Sequence, residues 1–151
     1  MNVLIEDKIV LMKELDKLDI VGKVYEVGNI TNKSVIIRDV KTKMAVGSID
    51  IDLFDEYFEK YNGHGQWTEW CKFYLDDEVV GIYRTNRKKV QVRSLSGKYR
   101  AESSCHKEDK FYLYFGIALA YYRCRIKELK KYEREKEELQ KEINRMIESL
   151  E

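Results

Sequence analysis

An α+β fold is predicted, with an antiparallel sheet, an N-terminal helix and a long C-terminal helix ending in a coiled-coil-like tail. Three observations predict it. Short β-branched and aromatic runs recur between residues 19 and 104, separated by turn residues. Apolar residues stand at three-and-four spacing at both ends of the chain. No proline occurs in 151 residues, so no helix need be interrupted. The expected division is an α+β domain over residues 1–112 and an oligomerising helix over residues 113–151.

Residues 3–18, VLIEDKIVLMKELDKL, place Leu4, Ile5, Ile9, Met12, Leu15 and Leu18 at helical spacing, which predicts an amphipathic first helix. VGKVYEV, SVIIRDV and KMAVGSIDI follow as three strands, separated at Gly28-Asn29 and at Lys41-Thr42-Lys43. LFDEYFEKY predicts a short helix closed by Asn62-Gly63, with Asp50, Asp52, Asp55 and Glu56 favouring its start through the helix dipole. QWTEWCKFYL, VVGIYRT, KKVQVRSL and KYRAESS resume strand character, with Asp76-Asp77 as a turn. In KKVQVR, Val90 and Val92 share one face while Lys89, Gln91 and Arg93 share the other, so this strand buries one side and shows a basic side.

The final element begins with LYFGIALAYYRCRI, too apolar to stand in water, and continues with Leu129, Tyr132, Leu139, Ile143, Met146 and Leu150 on a heptad seam interrupted by Lys136. A narrow apolar stripe gains little from helix propensity alone. A second helix is its natural partner, and at least a dimer is expected.

The formal charge of +1 hides a strong asymmetry. Residues 84–126 carry eleven basic and three acidic side chains, a balance of +8, while residues 1–83 carry ten and sixteen, and residues 127–151 seven and eight. Such a segment points to an anionic partner: a nucleotide, a nucleic acid or an acidic protein surface. No apolar run approaches a membrane span, and the N-terminus lacks a signal-peptide pattern, so a cytoplasmic location and no membrane partner are expected. Cys71, Cys105 and Cys124 lack metal-ligand spacing and read as reduced thiols.

No phosphate-binding loop, nucleophile elbow or zinc-protease motif is present, and His64 and His106 have no recognisable partner. A non-enzyme without cofactor is the reading. Binding chemistry is better supplied. Arg84, Arg93, Arg123 and Arg125 are the candidates for phosphate, Asn86 for a ribose or base edge, and Tyr83 for stacking, because arginine forks fit phosphate oxygens and an aromatic face accepts a base. Arg123 and Arg125 interrupt the apolar stretch YYRCRI, where a charge needs a counter-ion or an exit to solvent.

The stretch from RTNRKKVQVR to AESSCHKEDKFYLYFGIALAYYRCR resembles the C-terminal signature of the Thoeris anti-defence sponges, phage proteins that sequester cyclic ADP-ribose isomers made by bacterial immune enzymes. The matching positions are Ala101, Cys105, Glu108, Asp109, Phe111, Gly116, Ile117, Ala120 and Arg123, within about a quarter of the chain. The resemblance implies dimers and hexamers that hold a cyclic nucleotide at subunit boundaries, in the cytoplasm of an infected bacterial host. The N-terminal part, the QWTEW segment and the coiled-coil tail lie outside that pattern. They admit a rival expectation, an anti-CRISPR-like inhibitor or adaptor that docks on a host protein through the coiled coil, or on nucleic acid through the basic strand face.

Overall fold

The computed structural model describes residues 2–15, 18, 20–63, 65–105 and 112–150. His64, His106, Glu108, Asp109 and Phe111 lie outside the described residues. The architecture is α+β, with two antiparallel sheets and one long helix. The first sheet holds β1 (Lys8–Leu11), β2 (Val24–Ile30), β3 (Ser34–Arg38), β4 (Ala45–Asp50) and β5 (Phe58–Lys60), in the order β4-β3-β2-β1-β5. A four-residue helix, α1 (Phe54–Tyr57), leads into β5. The second sheet is a meander of β6 (Cys71–Leu75), β7 (Glu78–Thr85), β8 (Lys89–Ser94) and β9 (Arg100–Ser104), in sequence order. Helix α2 (Leu113–Leu150) closes the chain.

The helix expected over residues 3–18 is replaced by a strand. Ile9, Val10 and Leu11 are consecutive and fully buried because β1 lies between β2 and β5 with both faces covered, an environment that calls for a continuous apolar run. Glu6 adopts φ 76°, which stops a helix from running through. The turn that follows the end of β2 also shifts. Gly28 and Asn29 lie inside β2 at a bulge, and residues 31–34 make the turn, with the Ser34 N–H donating to the Thr31 hydroxyl at 2.9 Å. Asp76 and Asp77 do form the tight β6–β7 turn, both at positive φ, as a two-residue hairpin loop requires. The strand expected from residue 66 starts only at Cys71.

The two sheets share one core. Ile9, Leu11, Tyr25 and Val27 from the first cluster with Tyr83, Val90 and Val92 from the second. The Tyr83 hydroxyl donates to the Val21 carbonyl at 2.7 Å, and Arg87 at the β7–β8 turn pairs with Glu59 of β5 at 3.2 Å. Gly22, at φ 87°, sits where any Cβ would collide with the Thr85 methyl, so only glycine lets the sheets approach here. Helix α2 packs its first turns on β8 and β9: Gly116 lies against Val90, and the Ser103 hydroxyl donates to the Gly116 carbonyl at 2.8 Å. Beyond residue 128 every described residue of α2 is exposed.

Candidate functional site

Alternation along the second sheet decides what each face carries. Tyr83, Thr85, Val90, Val92, Ala101 and Ser103 point toward the core and α2, and Arg84, Gln91, Arg93 and Glu102 point the other way. Above that second face runs the segment Trp67–Trp70. It is pinned to β7 by the Thr68 N–H donating to the Thr85 carbonyl at 2.8 Å and the Thr85 N–H donating to the Thr68 hydroxyl at 3.0 Å. This places two indoles among the arginines.

The result is a stack in the order Trp67, Arg84, Trp70, Arg93. The Arg84 guanidinium carbon lies 4.8 Å from the ring centroids of both Trp67 and Trp70, and that of Arg93 lies 4.5 Å from Trp70. Arg84 Nε donates to Gln91 Oε1 at 2.8 Å, and Gln91 Nε2 donates to Glu102 Oε2 at 2.8 Å. Lys89 lies 3.4 Å from the same carboxylate. The Gln91 hydrogen bond, ahead of Lys89, holds the Glu102 carboxyl below its ordinary range. Glu102 is therefore charged and already engaged.

Neither Arg84 nor Arg93 has an ion-pair partner among the described residues, and the Arg93 Nε is buried without a hydrogen-bond acceptor. Arg100 of β9 stands directly opposite Arg93 of β8 in register. Stacking satisfies the flat faces of a guanidinium; Gln91 takes the Arg84 Nε and the Arg93 Nε is buried, so it is the terminal N–H groups of the two that suit a multivalent anion approaching edge-on. At the β9 edge, Arg123 Nη1 donates to the Glu102 carbonyl at 2.8 Å and Lys127 Nζ to the Arg100 carbonyl at 2.6 Å. Both cations reach over the sheet edge from α2. A shallow cavity of about 310 Å³ there is lined by Trp70, Arg84, Gln91, Arg100, Glu102 and Lys127.

Of the six residues expected to bind ligand, Arg84 and Arg93 come together on this face. Asn86 caps the β7–β8 turn, its side-chain carbonyl accepting the N–H groups of Lys88 at 3.1 Å and Lys89 at 2.8 Å. Tyr83 is buried beneath the sheet, its ring edge-on to Phe73. Arg123 serves the β9 edge. Arg125 is exposed and pairs with Glu128 at 2.5 Å, so the apolar run around it is answered by solvent on that side of the helix. Trp67 and Trp70 were not among the candidates. Their spacing of three, in the only two tryptophans of the chain, is the signal, but the pairing that sets them over Arg84 is long-range.

No helix among the described residues is long and apolar enough to cross a membrane. No family model, curated protein or solved structure matches this chain. The site stands on its own geometry.

Proposed function

We propose that this chain is a non-catalytic binding protein that takes a phosphate-bearing nucleotide on the Trp–Arg face of its second sheet. Its role in this reading is that of a phage sponge in the infected bacterial cytoplasm: it withholds a cyclic nucleotide signal, a cyclic ADP-ribose isomer or a cyclic oligonucleotide, from its receptor. One observation carries the reading: Arg84 and Arg93 are stacked on indoles, with no carboxylate ion-paired to either among the described residues. The family resemblance supplies the class of nucleotide, and the face supplies the anion chemistry.

Magnitudes bear on how the ligand is kept. Nanomolar capture needs about −12 kcal/mol net of association costs of ~4 to 15 kcal/mol. Charge-assisted hydrogen bonds contribute roughly 1.5 to 3 kcal/mol each, so several must act at once out of water. An open face supplies some of them. A second surface lying over it, such as another copy recruited when the ligand binds, supplies the closure.

The test is a stoichiometric depletion assay with cyclic ADP-ribose and cyclic dinucleotides as probes. The protein should remove a probe only up to its number of sites, and heating should return all of it unchanged. An Arg84→Ala/Arg93→Ala variant should remove none, whereas Arg125→Ala should behave as the parent. Product accumulating beyond one equivalent per site would overturn the non-catalytic reading.

A second reading is favoured by a different observation, the bare apolar seam of α2. In it the chain is an anti-CRISPR-like inhibitor or adaptor whose helix docks on a host protein, and no nucleotide is retained.

A further inference from the structure

Helix α2 has two apolar faces. Gly116, Ile117, Ala120 and Cys124 are buried beneath it against the second sheet. On the other side Phe115, Tyr122, Leu129, Lys136, Ile143 and Leu150 follow at intervals of seven residues, and Ala118, Arg125, Tyr132, Leu139 and Met146 stand three residues after each of the first five. These are the a and d positions of a single heptad frame that keeps its register throughout and carries charge only at Lys136 and Arg125. The frame therefore begins at Phe115, over the sheet, and not at the free tail. Its apolar a residues are all exposed, from 41% at Ile143 to 85% at Leu150.

We propose that this whole seam, Phe115 to Leu150, pairs with the same helix of a second copy as a parallel, in-register, two-stranded coiled coil. The available surface is sufficient. Ten large apolar side chains between Tyr114 and Leu150 are 41–85% exposed. At roughly 150–250 Å² per aromatic side chain, and less for the others, that is on the order of 1,000 Å² per copy. Two copies reach the size of a stable interface, about 1,200–2,000 Å² in total.

Charge selects the orientation. The g positions of the tail are Glu128, Glu135 and Glu142, and the e positions are Glu133, Gln140 and Ile147. An antiparallel pair over this seam sets g rows against g rows, so at least two of the three tail glutamates meet glutamates. A parallel pair sets g against e, and one of the three tail pairings, Glu128 with Glu133, is then acid on acid. Lys136 acts on register. In a parallel in-register pair it packs beside Glu135 of the second copy, and a single lysine at an a position specifies register and strand number.

A cavity supports the same occupant. A groove of about 500 Å³ is walled by Phe73, Tyr74 and Leu75 of β6 and by Tyr114, Ala118 and Tyr121 of α2. Tyr114 and Tyr121 are g positions, so the parallel arrangement brings Leu119 and Ile126 of the second copy, its e positions, to this flank. The layers then run sheet, helix, helix, sheet, with the two Trp–Arg faces outermost. The copy that pairs through the helix is thus not the one that covers the ligand, and the inference holds whichever ligand that face takes.

The experiment uses the full chain. Sedimentation equilibrium at micromolar concentration should give a dimer, and Leu129→Asp/Leu139→Asp should give a monomer. Both substituted side chains are exposed in the single chain, so the variant's near-ultraviolet circular dichroism should still report a folded sheet. Leu150→Cys in a Cys105→Ser background should form an intermolecular disulfide under mild oxidation, since parallel in-register helices bring the two ends together. A monomeric or trimeric parent would overturn the proposal. A dimer whose Leu150→Cys form fails to cross-link would overturn the parallel arrangement.

Discussion

Arg93 and Arg100 stand opposite each other on β8 and β9, and among the described residues neither is ion-paired to a carboxylate. Like charges directly opposite on adjacent strands destabilise a sheet. That cost lies on the same face as the indole-stacked guanidiniums of Arg84 and Arg93, and in the proposed function a bound anion would relieve it.

Removing one of the two charges should therefore separate stability from binding. Arg100→Gln is expected to stabilise the ligand-free protein by about 0.2–0.5 kcal/mol, at the low end because Arg100 is exposed. It should also weaken nucleotide binding. Urea unfolding and calorimetric titration of the same preparation check both signs.

Trp70 is the ring shared by Arg84 and Arg93. Trp70→Ala should lose two cation–π contacts, each worth about 0.5–1 kcal/mol, and leave both guanidiniums without a fixed plane. Nucleotide affinity should fall more than stability does. In the parent, indole fluorescence should change on nucleotide addition, and Trp70→Phe should keep binding while losing most of that signal.

The Arg87–Glu59 pair joins the two sheets, and its members differ in environment. The Arg87 side chain is 1% exposed while that of Glu59 is 32% exposed. Glu59→Ala strands a buried cation and is expected to cost about 3 kcal/mol, whereas Arg87→Met leaves a carboxylate that reaches water and should cost less. Equal losses in denaturant unfolding would contradict this account of the link.

Much of this fold was legible in the sequence because β-strand alternation and turn chemistry are local. The β7–β9 meander, the Asp76-Asp77 turn and the start of α2 all follow from residues within one element. The first strand was not, because Ile9, Val10 and Leu11 serve helical and strand periodicity equally until their neighbours β2 and β5 are known. The site divided the same way. Arg84 and Arg93 share a face by simple alternation, while Tyr83, one residue from Arg84, falls beneath the sheet for the same reason. The indoles join them only through a backbone pairing between residues 68 and 85.

Acid should act in part through the first sheet. The Glu26 carboxyl accepts hydrogen bonds from Lys43 Nζ at 2.8 Å and Arg38 Nε at 2.6 Å, and these hold it below the ordinary carboxylate range, with Lys43 the larger influence. A depressed folded-state value means that the native state binds the proton later than the unfolded chain does. Its contribution is complete above the unfolded value of about 4.3 and is lost as pH falls through the lower folded value. Glu26→Gln should flatten the acid limb of a stability–pH curve and leave its neutral-to-alkaline shape unchanged.

Mass spectrometry of what the purified protein releases on heating tests the central claim most directly, with Arg84→Ala/Arg93→Ala prepared in parallel from cells that make the cyclic nucleotide signal. The account predicts an intact cyclic nucleotide, at no more than one equivalent per site, from the parent and none from the variant. A parent that releases no nucleotide, or a variant that releases as much as the parent, would contradict it.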